Sequence, residues 1–115
     1  MRIAEHALLT DPARRAIAYN DSLDQRRVYP HESAIAALDA FDQPLPGTGQ
    51  EAGQVLHTLD ELGPPATVTS NGPRYFGFVI GATLPAAAAA ERLVLAWDQC
   101  ASSFDGSPIA DKLEK

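Results

Sequence analysis

The chain contains little cysteine, little lysine and little positive charge. Its single cysteine, Cys100, excludes an internal disulfide framework and makes a cytoplasmic location the default expectation. Cys100 has no base at motif spacing to activate it, so we expect a buried apolar side chain rather than a nucleophile. The net charge of -6 argues against nucleic acid or an anionic membrane as a partner, because both attract basic patches.

Long hydrophobic runs are absent as well. Residues 76–90 carry no charge, but this stretch contains Pro85 and is shorter than the roughly 20 apolar residues that a membrane span needs. The apolar run at the N-terminus is broken by Glu5 and His6, which is not typical of a secretory signal. The sequence therefore predicts no membrane span and no export. Its content of 45% hydrophobic and 21% charged residues is ordinary for a globular domain with a hydrophobic core.

Capping signals and apolar periodicity predict a segment that is mainly α-helical by itself. Asp11 as N-cap, with a proline in the first turn, predicts a helix from Pro12 to Gln25. Thr48 and Glu51 fit a capping box for a further helix, which Gly63 ends. The apolar face of that helix consists of Val55, Leu56, Leu59 and Leu62.

The other predicted helices run from Glu32 to Phe41, from Leu84 to Gln99, and onward from Ser107 as N-cap. The helix from Leu84 carries a seam of apolar residues at spacings of about 4, 3 and 4. The seam consists of Ala86, Ala90, Leu93 and Trp97. Residues 26–30 and 67–80 are expected to be extended, the second stretch being interrupted by a turn at residues 71–73.

The sequence shows no pattern typical of a metal site, a phosphate cradle or a nucleophilic triad. Its histidines lie in separate elements without ligands at metal spacing, and we expect them on the surface. Ser102 and Ser103 lack the context of a nucleophile elbow and fit a loop. The histidines are His6, His31 and His57. Exposed helix charges are expected at Asp39, Asp60 and Glu61.

Five segments follow one another in an order that resembles a known family. They are Arg27-Val28-Tyr29-Pro30, Leu45-Pro46, Ser70 to Pro85, Ala96-Trp97-Asp98-Gln99, and Ser107-Pro108 through Leu113-Glu114. Together they resemble the N-terminal region of pyridoxal-phosphate-dependent amino-acid decarboxylases, the group that acts on aromatic amino acids, tyrosine, glutamate or histidine. The first 25 residues show almost no family signal, and we expect residues 1–25 to form an N-terminal helix. The resemblance implies that residues 26–115 are the N-terminal part of an α/β, fold type I decarboxylase domain, truncated before its cofactor-binding core.

The resemblance also implies a role for the aromatic stretch that precedes the alanine-rich helix. In the family, this stretch forms part of the wall of the substrate pocket, and the N-terminal region packs across the dimer interface. By position, three aromatic rings would face the amino-acid side chain, and three further residues would lie near its carboxylate. The first set is Tyr75, Phe76 and Phe78, and the second is Ile80, Gly81 and Thr83. Packing of these rings within a core is an equal alternative.

The intact family enzyme uses pyridoxal phosphate, held as an imine on a lysine, to remove the carboxylate of an amino acid. This chain has two lysines, Lys112 and Lys115, which we expect to be solvated on a surface helix. We therefore expect the chain alone to bind no cofactor and to be inactive. Its expected partner is the remainder of the enzyme or a second copy in a dimer. The last helix begins shortly before the chain ends and shows no stop signal, which suggests truncation.

An alternative from a different functional class remains open. The apolar seams over residues 55–62 and 86–97 are also typical of a short helical protein–protein interaction module. A third possibility is a decayed remnant without catalytic activity, whose exposed seams would drive aggregation.

Overall fold

The computed structural model describes residues 3–115, and the side chains from residue 5 onward. Within these residues the chain is helical and contains no strand, which confirms the mainly α character. The α-helices are α1 (Ile3–Asp21), α2 (Glu32–Ala37), α3 (Ala52–Leu62), α4 (Pro85–Trp97) and α5 (Pro108–Glu114). Short 3-10 helices occupy Leu23–Gln25, Leu38–Phe41 and Pro64–Ala66. The chain forms two compact units, Met1–Ala82 and Thr83–Lys115.

Helix α1 begins well before Pro12, so the prediction of a helix start at Asp11 is wrong. Pro12 lies inside the helix, although proline removes one hydrogen bond of the helical ladder. Side chains next to Pro12 form additional hydrogen bonds in this part of α1. The Thr10 hydroxyl donates to the carbonyl of His6 at 3.1 Å. Asp11 does not cap the helix but accepts hydrogen bonds from Arg14 and Arg15 one turn later.

Helix α3 packs against α1 and carries the predicted apolar face. The predicted capping box is wrong, because Glu51 itself is the N-cap and makes no side-chain capping bond. The predicted stop at Gly63 is confirmed. Its N–H donates to the carbonyl of Leu59 at 2.9 Å, and a Cβ at this position would lie only 2.6 Å from the same oxygen.

Residues 26–30 and 67–80 form no strand, although Arg26 and Thr67 have extended backbone. The prediction that the second segment is extended throughout is wrong, because Phe78 and Val79 have positive φ. The two segments meet at one point, where the N–H of Thr69 donates to the carbonyl of Val28 at 3.0 Å. The predicted turn after Ser70 is confirmed by a bond from the N–H of Gly72 to the carbonyl of Thr69. Because turns follow closely on both sides, no second pair of bonds extends this contact into a ladder.

The second unit matches its prediction closely. Leu84 is the N-cap of α4 and Pro85 occupies the first turn, while Asp98 ends the helix with a left-handed φ of 50°. The Ser107 hydroxyl accepts a hydrogen bond from the N–H of Ala110 at 3.3 Å, which confirms it as the cap of α5. Ser107 is completely buried.

The described side chains form no buried hydrophobic core, contrary to the expectation from composition. The buried residues are Pro30, Thr69 and Ser107. Cys100, which we expected to be buried, is exposed. Large apolar side chains are exposed throughout both units, so other protein would have to cover them for this chain to gain the apolar burial that normally stabilises a fold.

Candidate functional site

The residues predicted to face a substrate lie on a protruding turn. The N–H of Ile80 donates to the carbonyl of Gly77 at 3.4 Å, and the two residues between them have positive φ of 53° and 54°. Those residues are Phe78 and Val79. This is the backbone of a type I′ turn, which normally carries asparagine and glycine at these positions. Here it presents two bulky apolar side chains to solvent.

Exposure separates the aromatic residues of this turn. Phe76 is 93% exposed and Phe78 is 90% exposed, whereas Tyr75 is half-buried. The rings of Phe76 and Phe78 therefore do not pack within a core. Ile80 is 64% exposed, and Thr83 is the first residue of the second unit. The first unit thus brings together Tyr75, Phe76, Phe78, Ile80 and Gly81 on one exposed segment.

The base of the turn is tightly packed at Gly81. This residue has a φ of +101°, and a Cβ there would lie 1.9 Å from the carbonyl oxygen of Ser70. Glycine is required here both for the backbone conformation and for the close approach of the two chain segments. The turn is consequently held at a fixed place on the first unit while its tip remains uncovered.

Thr69 and Arg74, which precede the turn, form hydrogen bonds with backbone carbonyls of residues 24–27, just after α1. The Thr69 hydroxyl, which is 3% exposed as a residue, donates to the carbonyl of Arg27 at 2.9 Å. Arg74 donates to the carbonyl of Asp24 at 3.1 Å and also to that of Arg26. These bonds satisfy carbonyl groups that the irregular segment around residue 26 leaves without helical partners. They give a rigid support to residues 75–81, which we call the aromatic turn.

A second candidate surface is an open, largely apolar groove between α1 and α3, with a volume of about 420 Å³. Its apolar walls include Pro12, Ala16, Tyr19, Leu56, Leu59 and Pro64. The groove therefore offers an apolar binding surface of the size of a small-molecule site, which typically measures roughly 300–1,000 Å³.

An ionic network borders the groove. Arg15 donates to Asp11 on its own helix at 2.6 Å and to Asp60 on α3 at 2.5 Å. The hydrogen bond from Arg15, reinforced by one from Arg14, lowers the pKa of Asp11. The bonds from Asp11 and Asp60 raise the pKa of Arg15. Asp60 is thus a half-buried partner of Arg15, so the prediction of a freely exposed charge is wrong.

Tyr19 and Thr67 form another polar edge of the groove, and Arg26 lies beside the Tyr19 ring outside it. The Tyr19 hydroxyl lies 2.7 Å from the Thr67 hydroxyl, and the Arg26 guanidinium lies 4.3 Å from the centre of the Tyr19 ring. Arg26 also donates to Ser22 at 2.7 Å and to the carbonyl of Pro64 at 3.2 Å. These contacts use the polar atoms structurally and leave the apolar wall of the groove free.

The described residues contain no group of three His, Cys, Asp or Glu side chains able to hold a metal ion. His57 lies 3.8 Å from Glu61, an exposed pair that attracts only when the histidine is protonated. Ser103 accepts a hydrogen bond from the N–H of Gly106 at 3.2 Å and belongs to the loop before α5, as predicted. None of these contacts orients a nucleophile towards a base.

No family model, curated protein or solved structure matches this chain. No helix in the described part of the chain has the length and apolarity to cross a membrane. The two candidate surfaces therefore rest on the geometry of the chain itself.

Local sequence patterns did not identify the residues that support these surfaces. Thr69 and Arg74 bond to carbonyl groups more than 40 positions earlier, and Arg15 meets Asp60 across 45 positions. No local pattern identifies such partners. The predicted turn after Ser70 was the one local signal for these contacts, since it shows that the chain reverses direction near Arg74.

Proposed function

We propose that this chain is the N-terminal segment of a pyridoxal-phosphate-dependent amino-acid decarboxylase of the α/β, fold type I class. In the intact enzyme it contributes the aromatic turn to the wall of the substrate pocket and other surfaces to the dimer interface. The chain alone is inactive. The proposal starts from the ordered motifs between Arg27 and Glu114, and two structural observations support it.

The observation that carries the proposal is the contrast between the base and the tip of the aromatic turn. Gly81 and Thr69 fix the base, whereas Phe76 and Phe78 are almost fully exposed. Ligand pockets are lined mainly by apolar and aromatic side chains held in preformed positions. A rigidly supported turn with uncovered rings suits a pocket whose other walls come from further protein.

The exposed surface of the chain supports the same proposal. The solvent-accessible surface is 9524 Å². Two separate compact bodies of the sizes of the two units would together expose only about 7,200 Å², by the scaling of surface with mass. The excess of roughly 2,300 Å² is more than the contribution of about 800 Å² that one partner makes to a standard protein–protein interface. Such an excess is expected of a segment that packs into a larger body.

The described residues do not fit the family cofactor. Lys115 forms an exposed ion pair with Asp111 at 2.7 Å, and Lys112 is exposed on the same helix. A lysine that reacts with a carbonyl group requires a lowered pKa, which arises from an apolar pocket or a neighbouring cation. We therefore assign the cofactor chemistry to protein outside this chain, and to this chain only contacts with the amino-acid side chain.

The test uses the complete gene product, captured from its source with antibodies against this chain. We expect a longer polypeptide that shows the visible absorbance of bound pyridoxal phosphate and releases carbon dioxide from an amino acid. Replacing Phe78→Ala should then reduce kcat/KM about tenfold, the usual effect of a lost apolar contact in a specificity pocket. The matched control is Phe104→Ala, an exposed phenylalanine in the loop before α5, which should leave kcat/KM unchanged.

Two outcomes contradict the proposal at different levels. A gene product that ends at Lys115 and neither binds the cofactor nor decarboxylates amino acids removes the family assignment. An active enzyme in which Phe78→Ala and Phe104→Ala behave alike removes the pocket role of the turn.

The second candidate function is a helical protein–protein interaction module, which the exposed apolar side chains also favour. Size-exclusion chromatography of the 115-residue chain distinguishes it from a decayed remnant. A sharp peak of defined oligomeric size supports the module, whereas material at the void volume indicates a remnant with uncovered apolar surface.

A further inference from the structure

A further cavity of the first unit lies between α2 and the 3-10 helix Pro64–Ala66, which pack against each other. Its volume is about 240 Å³, and its apolar walls are proline and alanine side chains. Its polar lining consists of Arg26, Arg27, His31, Thr67 and Thr69. Among the described residues, no aspartate or glutamate lines it. We call this cavity, which is rich in hydrogen-bond donors and has no carboxylate, the basic cavity.

Neither arginine of the basic cavity has a counter-charge among the described residues, whose ion pairs all use other cations. Arg26 is half-buried and donates to the Ser22 hydroxyl and to the Pro64 carbonyl, which are uncharged acceptors. Arg27 donates to the carbonyl of Tyr29 at 3.4 Å. A guanidinium has more N–H donors than these bonds use, so both arginines keep donors for a ligand.

The neighbouring cavity that α1 lines is balanced in charge. Arg14 and Arg15 line it, but so does Asp60, whose carboxylate accepts a hydrogen bond from Arg15 at 2.5 Å. Asp11 also accepts hydrogen bonds from both of these arginines. The positive charge of the basic cavity has no such partner in the described chain. It therefore favours an anion there, although the net charge of the whole chain is negative.

His31 and Thr69 complete the basic cavity. The Nδ1 of His31 accepts a hydrogen bond from the N–H of Ser33 at 3.2 Å, which caps α2. In the neutral ring the proton then lies on Nε2, so the imidazole supplies an N–H donor while it caps the helix. The Thr69 hydroxyl donates to the carbonyl of Arg27 at 2.9 Å and holds the backbone of this arginine in place.

We propose that the basic cavity binds the phosphate group of a small phosphate monoester. Such a group carries a charge of about −1.5 to −2 at neutral pH, which matches two guanidinium groups better than a carboxylate does. Its oxygens accept hydrogen bonds from planar guanidinium forks and from an imidazole N–H. The volume of about 240 Å³ lies below the roughly 300–1,000 Å³ of drug-sized sites, so the organic part of the ligand is small.

This assignment does not depend on the decarboxylase proposal. The family cofactor is itself a phosphate monoester, but it requires a lysine for its imine, and none lines the basic cavity. The cavity also shares no lining residue with the aromatic turn. Two arginines are too few to hold the repeated phosphates of nucleic acid, which agrees with the net charge of the chain.

The test measures binding of inorganic phosphate and of ethyl phosphate to the soluble 115-residue chain by equilibrium dialysis. We expect saturable binding of both, with dissociation constants of about 1 mM or lower. Arg27→Ala should weaken binding about tenfold, because hydrogen bonds to a charged ligand are lost. Its folding should be intact, since the exposed Arg27 side chain makes only the bond to the Tyr29 carbonyl.

Arg92→Ala is the matched control. Arg92 is an exposed arginine of α4 that donates to the carbonyl of Ala88 and has no ion pair among the described residues. Its replacement should leave the dissociation constant unchanged. His31→Asn is the second variant, because asparagine is a good N-cap but lacks the imidazole. It should keep α2 and weaken phosphate binding about fivefold.

Acetate tests the assignment to phosphate. It carries one charge and two oxygens, and it should bind at least about tenfold more weakly. The proposal is overturned if the original chain binds neither phosphate ligand saturably, if Arg27→Ala and Arg92→Ala behave alike, or if acetate binds as tightly as phosphate. Binding of inorganic phosphate without binding of ethyl phosphate contradicts the assignment to a monoester. Far-UV circular dichroism verifies that each variant retains its helix content.

Heteronuclear NMR locates the site without any substitution. On titration with phosphate, the backbone N–H signals of Ala34 and Thr69, which line the basic cavity, should shift with the dissociation constant that dialysis gives. The signals of Ala90 and Leu93 on α4 should remain in place. Shifts confined to the second unit, or spread evenly over both units, overturn the proposal.

Discussion

Gly81 and Ser70 approach each other so closely that a Cβ on Gly81 would lie 1.9 Å from the Ser70 carbonyl oxygen. Gly81→Ala should therefore lower the free energy of unfolding by about 1–3 kcal/mol, through strain at positive φ and displacement of the turn. Urea unfolding followed by far-UV circular dichroism measures this change.

Gly53→Ala is the matched control. Gly53 lies in the first turn of α3 with nothing within 4 Å of its Cβ position. Alanine there should raise the free energy of unfolding by about 0.5 kcal/mol, because it reduces the freedom of the unfolded chain. Effects of the same sign in both variants would contradict the packing at Gly81.

Thr69 should be the most sensitive hydroxyl residue of the first unit. Thr69→Val keeps the shape of the side chain but leaves the carbonyls of Arg27 and Val28 without their hydroxyl donor in a buried place. We expect a loss of about 1–2 kcal/mol in the free energy of unfolding. Thr58→Val on α3 should cost much less, since that hydroxyl bonds only to the carbonyl of Gln54 within its own helix. Equal losses would show that Thr69 does not anchor the turn.

Local signals in the sequence predicted the elements that local interactions determine. Ser107 caps α5, and Gly63 ends α3, because each depends on residues within one or two turns. The start of α1 was missed, since Asp11 bonds to Arg14 and Arg15 instead of capping. A capping residue and an ion-pair partner look the same in sequence.

The tertiary contacts were not predictable from local patterns. Arg15 finds Asp60 and Arg74 finds Asp24 only after the helices have packed, and composition does not specify such pairs. The apolar content predicted a core, yet the same side chains are exposed in the described residues. Apolar periodicity identifies the helix faces that become buried. It does not indicate whether the protein that buries them belongs to the same chain.

Val79 has a conformation that β-branched residues rarely adopt, with φ of 54° and full exposure. Val79→Gly should relieve this strain and raise the free energy of unfolding of the isolated chain by about 1 kcal/mol. Val94→Gly on α4 should instead lower helix content and stability by a similar amount. A destabilising Val79→Gly change would show that the valine side chain contributes contacts that outweigh its strain.

Asp11 should make stability depend on pH in the acidic range. Hydrogen bonds from Arg15 and Arg14 hold its pKa below the ordinary value of 3.8. The carboxylate therefore stabilises the fold above that value, and this contribution is lost as the pH falls through the lowered pKa. The original chain should be more stable than Asp11→Asn at neutral pH, and the difference should vanish in acid.

Asp39→Asn, which removes an exposed aspartate from a short 3-10 helix, should show no such convergence. A difference between the original chain and Asp11→Asn that persists or grows in acid would mean that the ion pairs of Asp11 do not stabilise the helix around Pro12.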